Sequence, residues 1–319
     1  MLSTRFIVSM VSTTTIVLGV ATATAQEYPS KPIRIITAAA GGSSDAVARL
    51  IAQGITDSLG QPVIIDNRGN VIASEVVSRS PPDGYTLTVS SESLWIRSLL
   101  DKVPYDVVRD FAPVTQITRE AYVIAVHPSL PVKSVKELIA LAKAKPGALN
   151  YGSATNGSGT HLAAALFTSM AGVNIVQVAY KGIAQSITAL VGGEVQLMFA
   201  NPSVVTPQVK AGRLRMLAVS APEPTALAPG VPTIAAAGVP GYECVSLQGL
   251  FAPGKTPAAI VNRLHQEVVR VLNGPGAKEK VLNIGSEIVG SSPEQFAAFI
   301  GPDMARMGKL IKDANIKVN

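Results

Sequence analysis

Few side chains in this sequence could do chemistry, and they are scattered. His127, His161 and His265 lie far apart, none with a second histidine or an acid at metal-ligand spacing. No metal site is expected from them. Cys244 is the single cysteine, so neither an internal disulfide nor a cysteine-based metal site can form. It reads as a small buried apolar residue. A nucleophile elbow is absent, because Gly157-Ser158-Gly159 has the wrong spacing for G-x-S-x-G. A dinucleotide fingerprint fails at Leu162, which stands where the third glycine is needed. Gly254-Lys255-Thr256 lacks the earlier glycine of a P-loop and reads as a helix start. Nucleophile and base do not come together anywhere, and no cofactor is expected.

Two glycine-rich runs remain, Gly41–Ser44 and Gly157–Thr160, each placed where a strand should turn into a helix. A helix start presents unpaired N–H groups and roughly half a positive charge, and glycines let an anion approach that backbone. One such start in each half of the chain would make a cleft that clamps a carboxylate from both sides. The alternative is a pair of plain turns in which glycine only relieves backbone sterics.

Strand and helix patterns alternate around these runs. Ile33–Ala39 reads as a buried strand, Asp45–Leu59 as a helix stopped by Gly60, and Val63–Asp66 as a strand. Ile72–Ser80 is the next expected helix and Tyr85–Ser90 the next strand. Val114–Thr118 and Tyr122–Val126 are further extended runs, and Ser134 to Glu137 forms a capping box for a helix reaching about Ala144. The plan then repeats: Asn150–Ser153, helix Leu162–Ala171 stopped by Gly172, strand Ile175–Ala179, helix Ile183–Val191, strand Val195–Phe199, helix Val204–Ala211, strand Arg215–Ser220. Val245–Phe251 is again strand-like, Thr256-Pro257 should cap a helix to Leu272, and Ser292-Pro293 opens the last helix. Gly301-Pro302 should kink it. Such alternation implies βαβ units and mainly parallel sheets.

Composition agrees with a folded chain of about two domains. The chain has 319 residues, 47% hydrophobic and only 15% charged. Its net charge of +6 is not clustered, since no two basic residues are adjacent. Nucleic-acid binding needs a basic stripe and is therefore not expected. The first 25 residues have the three parts of a secretory signal peptide: Arg5, a short apolar run, and Ala23-Thr24-Ala25. Cleavage after Ala25 would release an exported protein starting at Gln26.

Several stretches together resemble one family. They are YPSKPIRII at Tyr28–Ile36, GGSSDAVARLIAQ at Gly41–Gln53, LGQPVIIDNR at Leu59–Arg68 and PDGYTL at Pro82–Leu87. PYDVVRDFAPV at Pro104–Val114, the run Val135–Phe167 and YKG at Tyr180–Gly182 continue it. The chain resembles the substrate-binding proteins of the tripartite tricarboxylate transporters, the Bug-type periplasmic receptors, over essentially its whole mature length.

The resemblance implies an α/β protein of the type II periplasmic-binding-protein fold, two α/β lobes with a ligand cleft between them. Lobe 1 would comprise 26–123 plus 244–319, and lobe 2 would comprise 124–243. Crossover strands near Tyr122–Val126 and Glu243–Phe251 would lie side by side. The implied function is capture of a small mono- or dicarboxylic acid by a periplasmic monomer, which delivers it to membrane permease subunits. By the family pattern the ligand would touch Gly41, Gly42, Ser43, Ser90 and Ser91 from one lobe. The other lobe would supply Ser153, Asn156, Gly157, Ser158, Thr160, His161, Tyr180, Gly182 and Asn201. Neutral donors should dominate, with no pairing to Arg34 or Arg49.

Three departures from the pattern fall at the expected cleft. Ala38-Ala39-Ala40 replaces an aromatic and a proline, Gly69-Asn70-Val71 shortens the loop after Arg68, and Ala200 stands where an acid is common. Loss of that acid would favour a carboxylate without an amine. An exported hydrolase or isomerase on the same fold, or a ligand sensor for a membrane kinase, are the competing functions.

Overall fold

The computed structural model describes residues 28–38, 40–154, 156–313 and 316. The expected signal peptide lies outside them. No helix among the described residues is long and apolar enough to cross a membrane.

The chain begins with β1 (Ile33–Thr37), α1 (Ser43–Leu59), β2 (Val63–Asn67), α2 (Asn70–Ser78) and β3 (Thr86–Ser90). Helices α3 (Ser93–Leu100) and α4 (Val107–Asp110) precede the long β4 (Phe111–Ala121), which continues past Tyr122 into β5 (Val123–Val126). The middle of the chain is α5 (Val135–Ala144), β6 (Asn150–Ser153), α6 (Gly159–Ala171), β7 (Val176–Ala179) and α7 (Ile183–Val191). It closes with β8 (Leu197–Ala200), α8 (Pro202–Lys210) and β9 (Arg215–Val219). The remainder is β10 (Val245–Pro253), α9 (Ala258–Leu272), α10 (Ala277–Asn283), β11 (Glu287–Ile288) and α11 (Pro293–Asp313).

Among the described residues these strands form two sheets. One has the order β11-β4-β10-β3-β1-β2 and the other β7-β6-β8-β5-β9. Strands β1, β2 and β3 are parallel, as are β6, β7 and β8. Antiparallel pairing enters with β10 against β3 and β4, and with β5 against β8 and β9. Each sheet is therefore mixed rather than mainly parallel, because the strands that pass between sheets run against their neighbours.

The buried stripes explain the packing. In α1, Val47, Ala48, Ile51, Ala52, Ile55 and Leu59 share one face. That face covers Ile33 and Ile35 of β1 together with Leu264 and Val268 of α9. β1 is buried on both sides, as parallel strands are when helices cover both faces. A second apolar cluster runs from Trp95, Phe251 and Phe296 at the six-stranded sheet to Phe167 and Phe199 at the five-stranded one. Each such buried side chain contributes about 1.5–3 kcal/mol.

The two passages between sheets meet at Ser220. Its hydroxyl accepts from the Tyr122 N–H at 2.7 Å and donates to the Cys244 carbonyl at 2.5 Å. Its own carbonyl accepts the Cys244 N–H at 3.0 Å. One residue earlier, Ala121 pairs with Val245 in the β4–β10 ladder.

Local signals held at several ends. Gly60 and Gly172 adopt the left-handed conformation that stops α1 and α6, at φ 63° and 61°. Ser134 accepts the Glu137 N–H, and Ser292 accepts the Gln295 N–H. Thr256 does not cap α9: Pro257 occupies that position, and the Thr256 hydroxyl donates to the Pro253 carbonyl at 2.7 Å. α11 continues through Pro302.

Candidate functional site

A cavity of about 380 Å³ opens between the helices of the two sheets. One wall is α2 and α3, with Ser91, Glu92 and Ser93 at its polar end. The facing wall is the start of α6, with Asn156, Gly157, Ser158 and Gly159. Tyr122 and Ser246, on the passages between sheets, complete it.

The α6 loop is built by its own side chains. The Ser158 hydroxyl caps the helix by accepting the His161 N–H, and Nδ1 of His161 accepts the Gly157 N–H at 3.0 Å. That second bond leaves Nδ1 unprotonated. Burial also pushes the His161 imidazolium down, disfavouring its charged form. The Thr160 hydroxyl accepts the Ala154 N–H at 3.1 Å. Gln177 holds Ser153 at 2.9 Å and Asn156 at 3.0 Å from its amide nitrogen. Gly159 is glycine because a Cβ there would collide with the Tyr122 hydroxyl. Thus Asn156, Gly157 and Ser158 line the cavity, whereas Ser153, Thr160 and His161 are buried behind it and shape the loop.

The α1 loop lies outside the cavity wall. Gly41, at φ 86°, donates its N–H to Asp45 Oδ2 at 2.9 Å. Gly42 is the N-cap at φ −86° and ψ 171°, ordinary extended backbone. Asp45 also accepts from Arg49 at 3.1 Å and from Asn67 at 2.8 Å. Burial works against its charge, yet the bonds from Arg49, Gly41 and Asn67 hold its carboxyl below the usual range. The Ser43 hydroxyl bonds instead to Glu120.

Asn201 meets Ser43 at that same acid. Its amide donates to Glu120 Oε2 at 2.9 Å, while Ser286 donates to Oε1 at 3.0 Å. Burial raises the Glu120 carboxyl despite these donors. Ser90 is buried in the β3–β10 ladder opposite Gly249. Ser91 reaches the cavity and donates to Ser93 at 2.8 Å. Tyr180 and Gly182 sit at the end of β7 and the start of α7, away from the cavity lining.

Sequence reasoning missed Glu92, Arg97, Tyr122 and Ser246, all of which line the cavity. Glu92 accepts from the Ser246 hydroxyl at 3.0 Å on both oxygens and from the Leu247 N–H at 2.9 Å. Burial raises its carboxyl to about 7, with the Leu247, Glu92 and Ser246 hydrogen bonds opposing and nearby Glu120 adding to the rise. Arg97 is the arginine that the sequence did not place here, and it is paired to Asp101 at 3.0 Å. Arg34 and Arg49 pair elsewhere, with Asp66 and Asp45. The polar run Ser90–Ser93 at a strand end was the available signal. Of the departures, Val71 lines the cavity, while Ala200 is fully buried in the apolar cluster around Met198 and Val205.

This architecture has close counterparts. The chain matches the model of the tripartite tricarboxylate transporter family receptors over residues 47–316. It is 34% identical over 298 residues to a protein in the tcbD-tcbE intergenic region of Pseudomonas sp. (strain P51), covering 92% of this chain and 89% of that one. Protein BugT of Bordetella pertussis is 32% identical over 301 residues, covering 92% of each. Among solved structures, R. palustris Rpa4515 with adipate shares 36% identity at a TM-score of 0.76, covering 92% of this chain and 100% of that one. MatC from Rhodopseudomonas palustris with bound malate shares 27% at 0.71, covering 89% and 100%. With two α/β lobes and a cleft between them, this chain belongs to the tripartite tricarboxylate transporter receptor family.

Proposed function

We propose that this protein is a periplasmic receptor that captures a small mono- or dicarboxylic acid between its lobes. It then delivers the acid, as a monomer, to the permease subunits of a tripartite tricarboxylate-type transporter. In this reading lobe 1 is 26–123 plus 244–319 and lobe 2 is 124–243, supported by which segments build which sheet.

The observation that carries the proposal is the cavity between α3 and the α6 start. Its size is at the lower end of small-molecule pockets, roughly 300–1,000 Å³. It offers the α6 N-terminus and neutral donors from Asn156 and Ser158, beside the hydroxyls of Ser91 and Ser246. Hydrogen bonds to a charged group are worth about 1.5–3 kcal/mol each. About four would support micromolar binding, near −8 kcal/mol, after association costs. The relatives seen with adipate and with malate support the ligand class.

The test is a thermal-shift screen of purified protein against mono- and dicarboxylates of three to eight carbons, followed by titration calorimetry. A true ligand at a hundred times its Kd should stabilise by about 2.7 kcal/mol. Stabilisation by none of these acids, or turnover of esters or amides, would overturn the reading.

A further inference from the structure

Glu92 is out of place in a cavity for an anion. It leaves β3 after Ser91 and takes the N-cap position of α3, yet its carboxyl does not cap that helix. The carboxyl crosses instead to β10, where Ser246 and the Leu247 N–H hold it against the cavity. The charged and titratable groups around it come from every element packed there. Glu120 stands opposite Ser246 in the β4–β10 ladder, Tyr122 follows β4, and Cys244 precedes β10. Asp303 of α11 lines a small pocket shared with Glu92 and pairs with Arg306, and Arg97 lies further along α3. Arg97 forms an exposed pair with Asp101, and Arg306 pairs with Asp303. Among the described residues no ion pair includes Glu92.

A carboxylate ligand entering this cavity adds a second negative charge beside Glu92. Two such charges about 5 Å apart, at an effective dielectric of about 20, disfavour the doubly ionised state on the order of a hundredfold. One carboxyl of such a pair must take a proton. We propose that Glu92 is the specificity-determining residue of the cavity, binding a carboxylate ligand as a neutral acid that donates a hydrogen bond to it. The balance is simple: Glu92–COO⁻ gains one proton from water or buffer, an O–H bond forms, and the ligand enters with its charge unchanged. The proposal rests on the receptor reading above. In the free protein the Glu92 carboxyl is already raised to about 7, so this proton is within reach at neutral pH. A ligand amine would do the opposite, favouring ionised Glu92 and releasing a proton.

The experiment is calorimetry with adipate as probe, or the best acid of the screen, from pH 6 to pH 9. Buffers of differing ionisation enthalpy count the protons exchanged. The expected result is uptake of close to one proton per ligand at pH 8, with affinity falling on the order of a hundredfold from pH 6 to pH 9. Glu92→Gln, which cannot ionise, should bind within a fewfold of the parent at pH 6 and lose the pH slope. Binding without proton uptake, proton release, or a Glu92→Gln protein that keeps the parent's slope would overturn the role of Glu92 alone. Failure of every acid at both pH extremes would overturn the receptor reading and this proposal with it. The parent measurement needs no variant to fold.

Discussion

Each sheet carries a strand that turns through glycines into a helix, β1–α1 in one and β6–α6 in the other, and the two helix starts serve different partners. At α1 the chain supplies its own anion: Asp45, in the first turn, takes the Gly41 N–H and is tied to Arg49 and Asn67. At α6 the first turn holds no acid, and Gly157, Ser158 and Gly159 face the cavity. The nearest acid on the opposite wall is Glu92, carried by a different helix and pushed toward its neutral form. A helix N-terminus is open to a ligand anion only where the first turn has not already furnished one.

The two acids should therefore answer pH in opposite senses, and this gives the largest expected effect. Glu92 has a raised carboxyl, so its contribution to stability is fully present below about 4.5, its unfolded value, and is lost as pH rises through about 7. Glu92→Gln in the ligand-free protein should gain up to about 3 kcal/mol over the parent at pH 8.5, and little at pH 4.5. Urea unfolding at the two pH values measures it. Equal effects at both would show that the Glu92 carboxyl is not raised in the fold and break the contrast.

A substitution in each loop probes the same difference sterically. Gly159→Ala would drive a methyl into the Tyr122 hydroxyl, at a cost of about 1–3 kcal/mol in stability and more than tenfold in affinity. Gly42→Val meets an extended backbone outside the cavity wall and should change affinity by less than about threefold. If calorimetry finds Gly42→Val as damaging to binding as Gly159→Ala, both loops clamp the ligand and the asymmetry is wrong.

The smallest effect belongs to Asp45. Its carboxyl is held low, so its contribution is present above the usual value of 3.8 and fades as pH falls through its lower folded value. Asp45→Asn should cost about 1 kcal/mol at pH 7, nothing near pH 2, and leave ligand affinity unchanged. A loss of affinity would place α1 in the binding site.

Where a signal is carried by neighbours in sequence, it could be read directly. The stripe Val47–Leu59, the stops at Gly60 and Gly172, and the caps at Ser134 and Ser292 follow from backbone hydrogen bonding within a turn or two. The glycine-rich α6 start, with Ser158, was legible for the same reason, whereas Asn156 was implied only by the family resemblance. Helix α3 was not: no helix was expected after Ser90, and Glu92 shows its place only once β10 lies opposite.

Tertiary structure alone decided which polar groups meet. Ser246 lies 154 residues from Glu92, and Ser220 lies 98 from Tyr122, separations that no local pattern spans. The same holds for Thr160 and His161: the family resemblance implied ligand contact, and in the fold both accept from the loop backbone. Sequence determines the elements and the places where a helix can offer free N–H groups, since those are local properties of the chain. Whether such a group faces a cavity, an internal carboxylate or the core depends on long-range strand order, because burial and the charge around a site are set by segments distant in sequence.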